Sequence, residues 1–222
     1  MRKIESLESL SDGKLYDLKD MVKADAGGCD ACSACCEDVG DMVELTPYDL
    51  YEIRTFTQMT FEAFMDKHGQ IHDHNKVGIP HLKMDQGSNK CSFLNDQGRC
   101  SVHAHRPGIC RLFPLGRVYE DQDLKYFLQV GACVKPKLGK VKVKKWLGID
   151  RYKDNKAFIL QWRSFVKALA FRLKFVRDQE EVAKINAYVL EHLFDLPVGG
   201  SDDFYTLFAD RLTQAKEDLG IL

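Results

Sequence analysis

Four cysteines within eight residues constrain this chain more than any other feature. Cys29, Cys32, Cys35 and Cys36 are spaced C-x2-C-x2-C-C, and Cys91, Cys100, Cys110 and Cys133 follow downstream. Scattered single cysteines usually serve as small buried hydrophobes. Clustering on this scale points to ligands. An even cysteine count in a secreted miniprotein would mean disulfides. Here the chain is 222 residues long, and its start carries acids within ten residues and no apolar run, unlike a signal peptide. No stretch approaches the ~20 apolar residues of a membrane helix. A reducing, cytoplasmic setting is therefore expected, with metal-bound thiolates rather than disulfides.

Metal sites need thiolates aimed at one point. A C-x2-C loop meets that need because three-residue steps return the sulfurs to the same side. The C-x2-C-x2-C run resembles the start of the bacterial ferredoxin pattern, but Cys36 directly follows Cys35 and no proline comes next. Adjacent side chains usually point apart, so Cys35 and Cys36 are expected to serve two metals, or one metal and one structural or redox thiol. Fifty-four residues lie between Cys36 and Cys91, so the two groups must meet through the tertiary fold. Structural zinc sites commonly draw ligands from two distant loops. The eight thiols suit one large pocket or two four-ligand sites.

Together with Leu45, Thr46 and Asp49, and with the later C-x-F-L, G-x-C-x-V and R-P-x-x-C-R-x-F-P segment, the cluster resembles the YkgJ-type cysteine-cluster family, a zinc- or iron-chelating domain called CxxCxxCC. The resemblance covers Cys29 to Cys133. It implies that Cys29, Cys32, Cys35, Cys36, Cys91, Cys100, Cys110 and Cys133 are metal ligands, with Arg106-Pro107 and Arg111, Phe113-Pro114 as flanking signature. His103 stands where the family usually has Tyr, and is read as a packing residue. Some members are labelled flagellin lysine N-methylases, so S-adenosylmethionine enters as a cofactor by analogy alone.

Arg99, Arg106 and Arg111 have a physical reason to sit beside thiolates, since guanidiniums offset the net negative charge of such a site. The plainer alternative is surface arginines. Among metals, the three-cysteine run and the abundance of thiolates favour an iron–sulfur cluster, of the 4Fe-4S type, over zinc, although soft thiolate sites accept both. The leading function is metal binding with a redox role. An enzyme reading would be an iron–sulfur oxidoreductase or a protein lysine methyltransferase. A third reading is a zinc-stabilised adaptor that presents the basic run Lys135 to Lys145 to a protein partner. With a net charge of −1 and no interleaved aromatics, that run argues for a solvated face rather than nucleic-acid binding.

The fold expected is α+β: a loop-rich cysteine core with short strands, flanked by N-terminal and C-terminal helices. The segments are an N-terminal helix over 1–24, a metal-binding domain over 25–148, and a helical part over 149–222 packed on it. Leu7, Leu10, Leu15 and Leu18 suggest one face of the first helix. Thr46, Pro47 and Asp49 mark a helix start, as does Thr60. Residues 117–130 read as a hairpin with a polar turn, and the Phe/Trp stripe over 158–175 as core. Asp178 and Ser201 are read as caps of the last two helices. His72 and His74 alternate like a strand with both rings on one face, read as a solvated strand rather than a metal site. His103 and His105 share that spacing.

Overall fold

The computed structural model describes residues 10–27, 32–120, 122–199 and 203–221. The architecture is α+β. Three two-stranded antiparallel sheets alternate with helices. Strand β1 (Met21–Asp25) pairs with β6 (Gly139–Lys142), β2 (Gly69–His74) with β3 (Val77–Leu82), and β4 (Leu115–Glu120) with β5 (Asp123–Leu128). The helices are α1 (Pro47–Thr57), α2 (Phe61–His68), α3 (Gly108–Leu112), α4 (Val143–Leu147), α5 (Tyr152–Leu173), α6 (Gln179–Val189) and α7 (Phe204–Asp218). A π-helical turn, Leu190–Phe194, continues α6. No described helix is long and apolar enough to cross a membrane.

Local chemistry sets the element boundaries. At α1 the Thr46 hydroxyl accepts from the Asp49 amide (3.3 Å), while the Asp49 carboxylate accepts from the Thr46 amide (2.8 Å). This reciprocal box satisfies two of the amides that a helix start leaves without partners. Thr60 caps α2 through the Ala63 amide and Asp178 caps α6 through the Glu180 amide, both as expected. The last helix is capped by Asp203, whose carboxylate accepts from the Tyr205 amide at 2.9 Å. Ser201, the cap expected from sequence, lies outside the described residues.

The N-terminal helix expected over 1–24 is corrected within the described residues; Leu7 lies outside them. Ser11 and Asp12 turn their side chains onto the amides of Gly13 and Lys14, and Gly13 takes a φ of +73°. Tyr16 then exchanges two backbone hydrogen bonds with Tyr126 of β5. In β1, Val22 and Ala24 are buried while Met21 and Lys23 are exposed, the two-residue period of a strand with one wet face. The leucine spacing masked that alternation. The basic run carries β6 and the start of α4 with a solvated face, as read: Val141 and Val143 are buried, and Lys140 and Lys142 stand in solvent. The 117–130 hairpin forms as read, although Asp121 of its turn lies outside the described residues.

The helical part shares its core with the cysteine-bearing part. Phe158, Trp162, Phe165, Leu169 and Leu173 of α5 are buried, as their spacing required, but Phe171 and Phe175, read as part of the same core stripe, are each 67% exposed. Trp162 meets Phe194 edge-on at 5.2 Å, and Phe158 meets Phe208 at 4.7 Å. Tyr48 of α1 lies against Phe204 and Tyr205 of α7. Asn186 of α6 accepts from the Gly78 amide of β3 (2.7 Å) and donates to the Lys76 carbonyl.

His68 links α2 to the segment that follows Cys91. It is 4% exposed, stacks on Phe93 at 4.0 Å, and its Nδ1 shares a hydrogen bond with the Ser92 hydroxyl. Desolvation, with a smaller contribution from Lys67, lowers its pKa to about 4. Below the ordinary value near 6.5 the unfolded chain takes up a proton that the folded one refuses. The stability contributed by His68 is thus whole above pH 6.5 and is lost as pH falls towards 4. In urea titrations, the stability gap between wild type and His68→Asn should shrink across that window. A gap independent of pH would refute this.

Candidate metal centre

The two cysteine stretches converge. The Cys91 amide donates to the Cys36 carbonyl at 2.8 Å, and the Asp38 amide donates to the Asn89 carbonyl at 3.0 Å. A Lys90–Glu37 ion pair lies beside them. This short ladder sets Cys36 against Cys91. The 3₁₀ turn Ala34–Cys36 shapes the first stretch, closed by the Cys36 amide on the Ser33 carbonyl. Leu94 bridges to Cys100, closing the turn that the Asn95 side chain holds through the amides of Gln97 and Arg99.

Adjacent Cys35 and Cys36 do not point apart, contrary to the expectation from sequence. The two thiols lie close enough to shift each other's pKa, Cys35 downwards and Cys36 upwards. The reason is the turn: successive side chains in a 3₁₀ helix are rotated by about 120°, not the half-turn of a strand. Each of Cys35, Cys36, Cys91, Cys100 and Cys110 lies within electrostatic reach of others in the set.

Burial raises the thiol pKa of Cys91, Cys100 and Cys110, and neighbouring thiols raise them further. Cys110, packed against the core, also feels Asp49. Cys35 is shifted down, first by the hydrogen bond from Cys36, and in part by the Arg106 charge. Amides of Phe93 and Val102 turn onto the sulfurs of Cys91 and Cys100. Five thiols so close together do not all ionise readily unless positive charge is placed among them. Soft sulfur donors with inward-facing amides fit a thiophilic metal.

Cys133 sits to one side. It lines a small cleft with Cys32 and Cys35, walled by Phe113, Pro114 and Trp146. Trp146 is fixed by its indole N–H on the Leu112 carbonyl (3.0 Å). Cys35 therefore faces both the five-thiol pocket and this cleft. The described cysteines are free thiols. Cys29 lies outside the described residues.

The arginines divide. Arg106 acts on Cys35 and Cys100, and its Nη1 donates to the His103 carbonyl at 2.9 Å. Arg111 instead donates to the Ala104 carbonyl at 2.7 Å, bracing the 103–105 turn against α3. His103 is exposed rather than packed, with Arg106 also against its ring. His105 stacks on Phe56 and meets Glu52, both of α1.

Asp49 positions Cys110. Besides closing the α1 box, its other carboxylate oxygen accepts from the Gly108 amide at 2.7 Å, at the start of the helix that carries Cys110. Burial raises its pKa, against hydrogen bonds from Thr46 and Gly108 and the Arg117 charge. Asp49→Ala removes the reciprocal box at the start of α1 and leaves the half-buried Gly108 amide without its acceptor. It should cost about 2–4 kcal/mol in chemical denaturation. Thr46→Ala, which spares the Gly108 contact, should cost about 1 kcal/mol. Equal costs would show that the Gly108 link contributes nothing.

The sequence did not single out Glu44 and His81. With His74 they form a second group of potential ligands, whose donor atoms all lie within 4.8 Å of one another. The only hint in the sequence was the His72, His74 alternation.

Residues 28–133 match a family model described as "CxxCxxCC: Putative zinc- or iron-chelating domain". No curated protein and no solved structure matches the chain.

Proposed function

We propose that this protein, whose residues 28–133 match the model of the zinc- or iron-chelating CxxCxxCC domains, holds an iron–sulfur cluster in the five-thiol pocket. Cys36, Cys91, Cys100 and Cys110, which face that pocket without lining the adjoining cleft, are the ligands. Cys32, Cys35 and Cys133, which line that cleft, form a second thiol set beside it.

One observation carries the choice of iron–sulfur over zinc. A tetrahedral zinc with Zn–S of about 2.3 Å holds its sulfurs only about 3.8 Å apart. Among the described residues, no three cysteine sulfurs lie within 4.8 Å of one another; the one ligand group that compact is Glu44, His74 and His81. The thiols are gathered but spaced more widely than a single zinc ion requires, which suits the larger body of a [4Fe–4S] cluster held by four thiolates. When bound, such a cluster supplies one-electron redox chemistry. The Arg106 guanidinium, near Cys35 and Cys100, offsets part of its negative charge.

Anaerobic purification should give a brown protein in which iron and acid-labile sulfide are present in equal amounts, about four of each per filled site. A colourless protein with stoichiometric zinc bound through sulfur would overturn the iron–sulfur reading.

A further inference from the structure

We propose that Glu44, His74 and His81 form a site for a single divalent transition-metal ion of the zinc class, separate from the cysteine centre in both ligands and chemistry.

The strands assemble the site. His74 lies on β2 and His81 on β3, on the same face of the hairpin. Glu44 pairs with His81 across a third, short strand contact, fixed by the Leu45 amide on the Pro80 carbonyl and the Leu82 amide on the Val43 carbonyl. The Nε2 atoms of His74 and His81 are 2.9 Å apart, and the Glu44 carboxylate lies within 4.8 Å of both. Ligands on a tetrahedral zinc, at Zn–N of about 2.0–2.1 Å, sit about 3.3 Å apart. Small side-chain movements would reach that spacing.

Hydrogen bonds orient the donors as a metal requires. His81 is 3% exposed, and its Nδ1 donates to the Asp41 carbonyl, which leaves the Nε2 lone pair facing His74 and Glu44. An imidazole held at one nitrogen by a backbone carbonyl and open at the other is the usual arrangement of a metal-binding histidine. His72 sits beside it, with its ring 4.7 Å from that of His81 and its Nδ1 3.3 Å from the Asp41 carboxylate. Burial lowers the His81 pKa and raises that of Glu44, so both groups gain from a cation between them. Two imidazoles and one carboxylate leave one position of a tetrahedral ion for water. The set holds no sulfur and suits Zn(II), Co(II), Ni(II) or Cu(II) better than Mg(II) or Ca(II).

The test uses the full chain with its cysteine-bound metal in place. Wild type, His74→Ala, Glu44→Gln and, as a control, His105→Ala are saturated with Zn(II) and dialysed, and the metals are counted. His74 and Glu44 are exposed, so neither change disturbs the core. Wild type and His105→Ala should hold one zinc per chain more than His74→Ala and Glu44→Gln. Calorimetric affinity for that ion should fall at least about tenfold in each of these two variants. X-ray absorption of the extra zinc should show nitrogen and oxygen neighbours only. Equal zinc in all four proteins, an equal loss in His105→Ala, or sulfur around the extra zinc would overturn the assignment.

Discussion

Cys110→Ser should release metal from the five-thiol pocket and destabilise the protein by more than a near-isosteric change at a buried thiol can otherwise cause. Serine preserves shape and adds a hydroxyl whose burial without a partner costs about 1–3 kcal/mol. That is the ceiling if Cys110 is only a packing residue. If it is a ligand, a share of the metal's binding energy goes with it, and in isolated structural zinc peptides that energy is about 10–16 kcal/mol. Whole domains are stable by only about 5–15 kcal/mol, so partial loss is enough to loosen the pocket. Cys110 is half-buried against the core and shares its surroundings with Cys91, Cys100 and Cys35. The variant should therefore show lower metal content, a large drop in thermal midpoint, and rapid proteolysis between Cys36 and Cys91. Full metal content, with a stability loss below about 3 kcal/mol, would remove Cys110 from the ligand set.

Much of this centre was legible in the sequence because its signals are local. Thr46, Pro47 and Asp49 announce a helix start within four residues, and the α5 stripe repeats every three or four positions, so both elements formed where read. Even the convergence of distant cysteines followed from counting thiols. The misses involve partners that sequence cannot bring together. Asp49 reads as an acid favoured at a helix start, yet its second oxygen holds the Gly108 amide, fifty-nine positions along the chain. Cys35 and Cys36 were expected to diverge because the turn conformation between Ser33 and Glu37 leaves no mark in the residues themselves. His81 sits in a strand buried at every position, Val77 to Leu82, where a histidine reads as one more core residue until the β2 register sets it beside His72 and His74. In β1 the alternation of Val22 and Ala24 spans only five residues, too short to outweigh four well-spaced leucines upstream.

Arg54→Ala should be among the most destabilising single changes outside the thiol pocket, at about 3–5 kcal/mol, because Arg54 joins α1 to the far end of the chain. Its side chain is 6% exposed. Nη1 donates to the carbonyls of Leu196 (3.1 Å) and Phe194 (3.4 Å), Nε donates to the Met59 carbonyl (3.3 Å), and Nη2 meets the Asp195 carboxylate at 2.8 Å. The Phe194 and Leu196 carbonyls sit where the π-helical turn ends, and a helix end buried without donors is costly. Truncation removes every one of these donors at once. Lysine cannot substitute, since one ammonium lacks the planar spread that reaches three carbonyls and a carboxylate together. The ion pair itself contributes less: Asp195 is 33% exposed, so solvent screens it. Asp195→Asn should accordingly cost about 1 kcal/mol or less, measured by urea unfolding beside Arg54→Ala. If the two changes cost the same, the charge pair holds the chain's end to α1, and the capping of Phe194 and Leu196 does not.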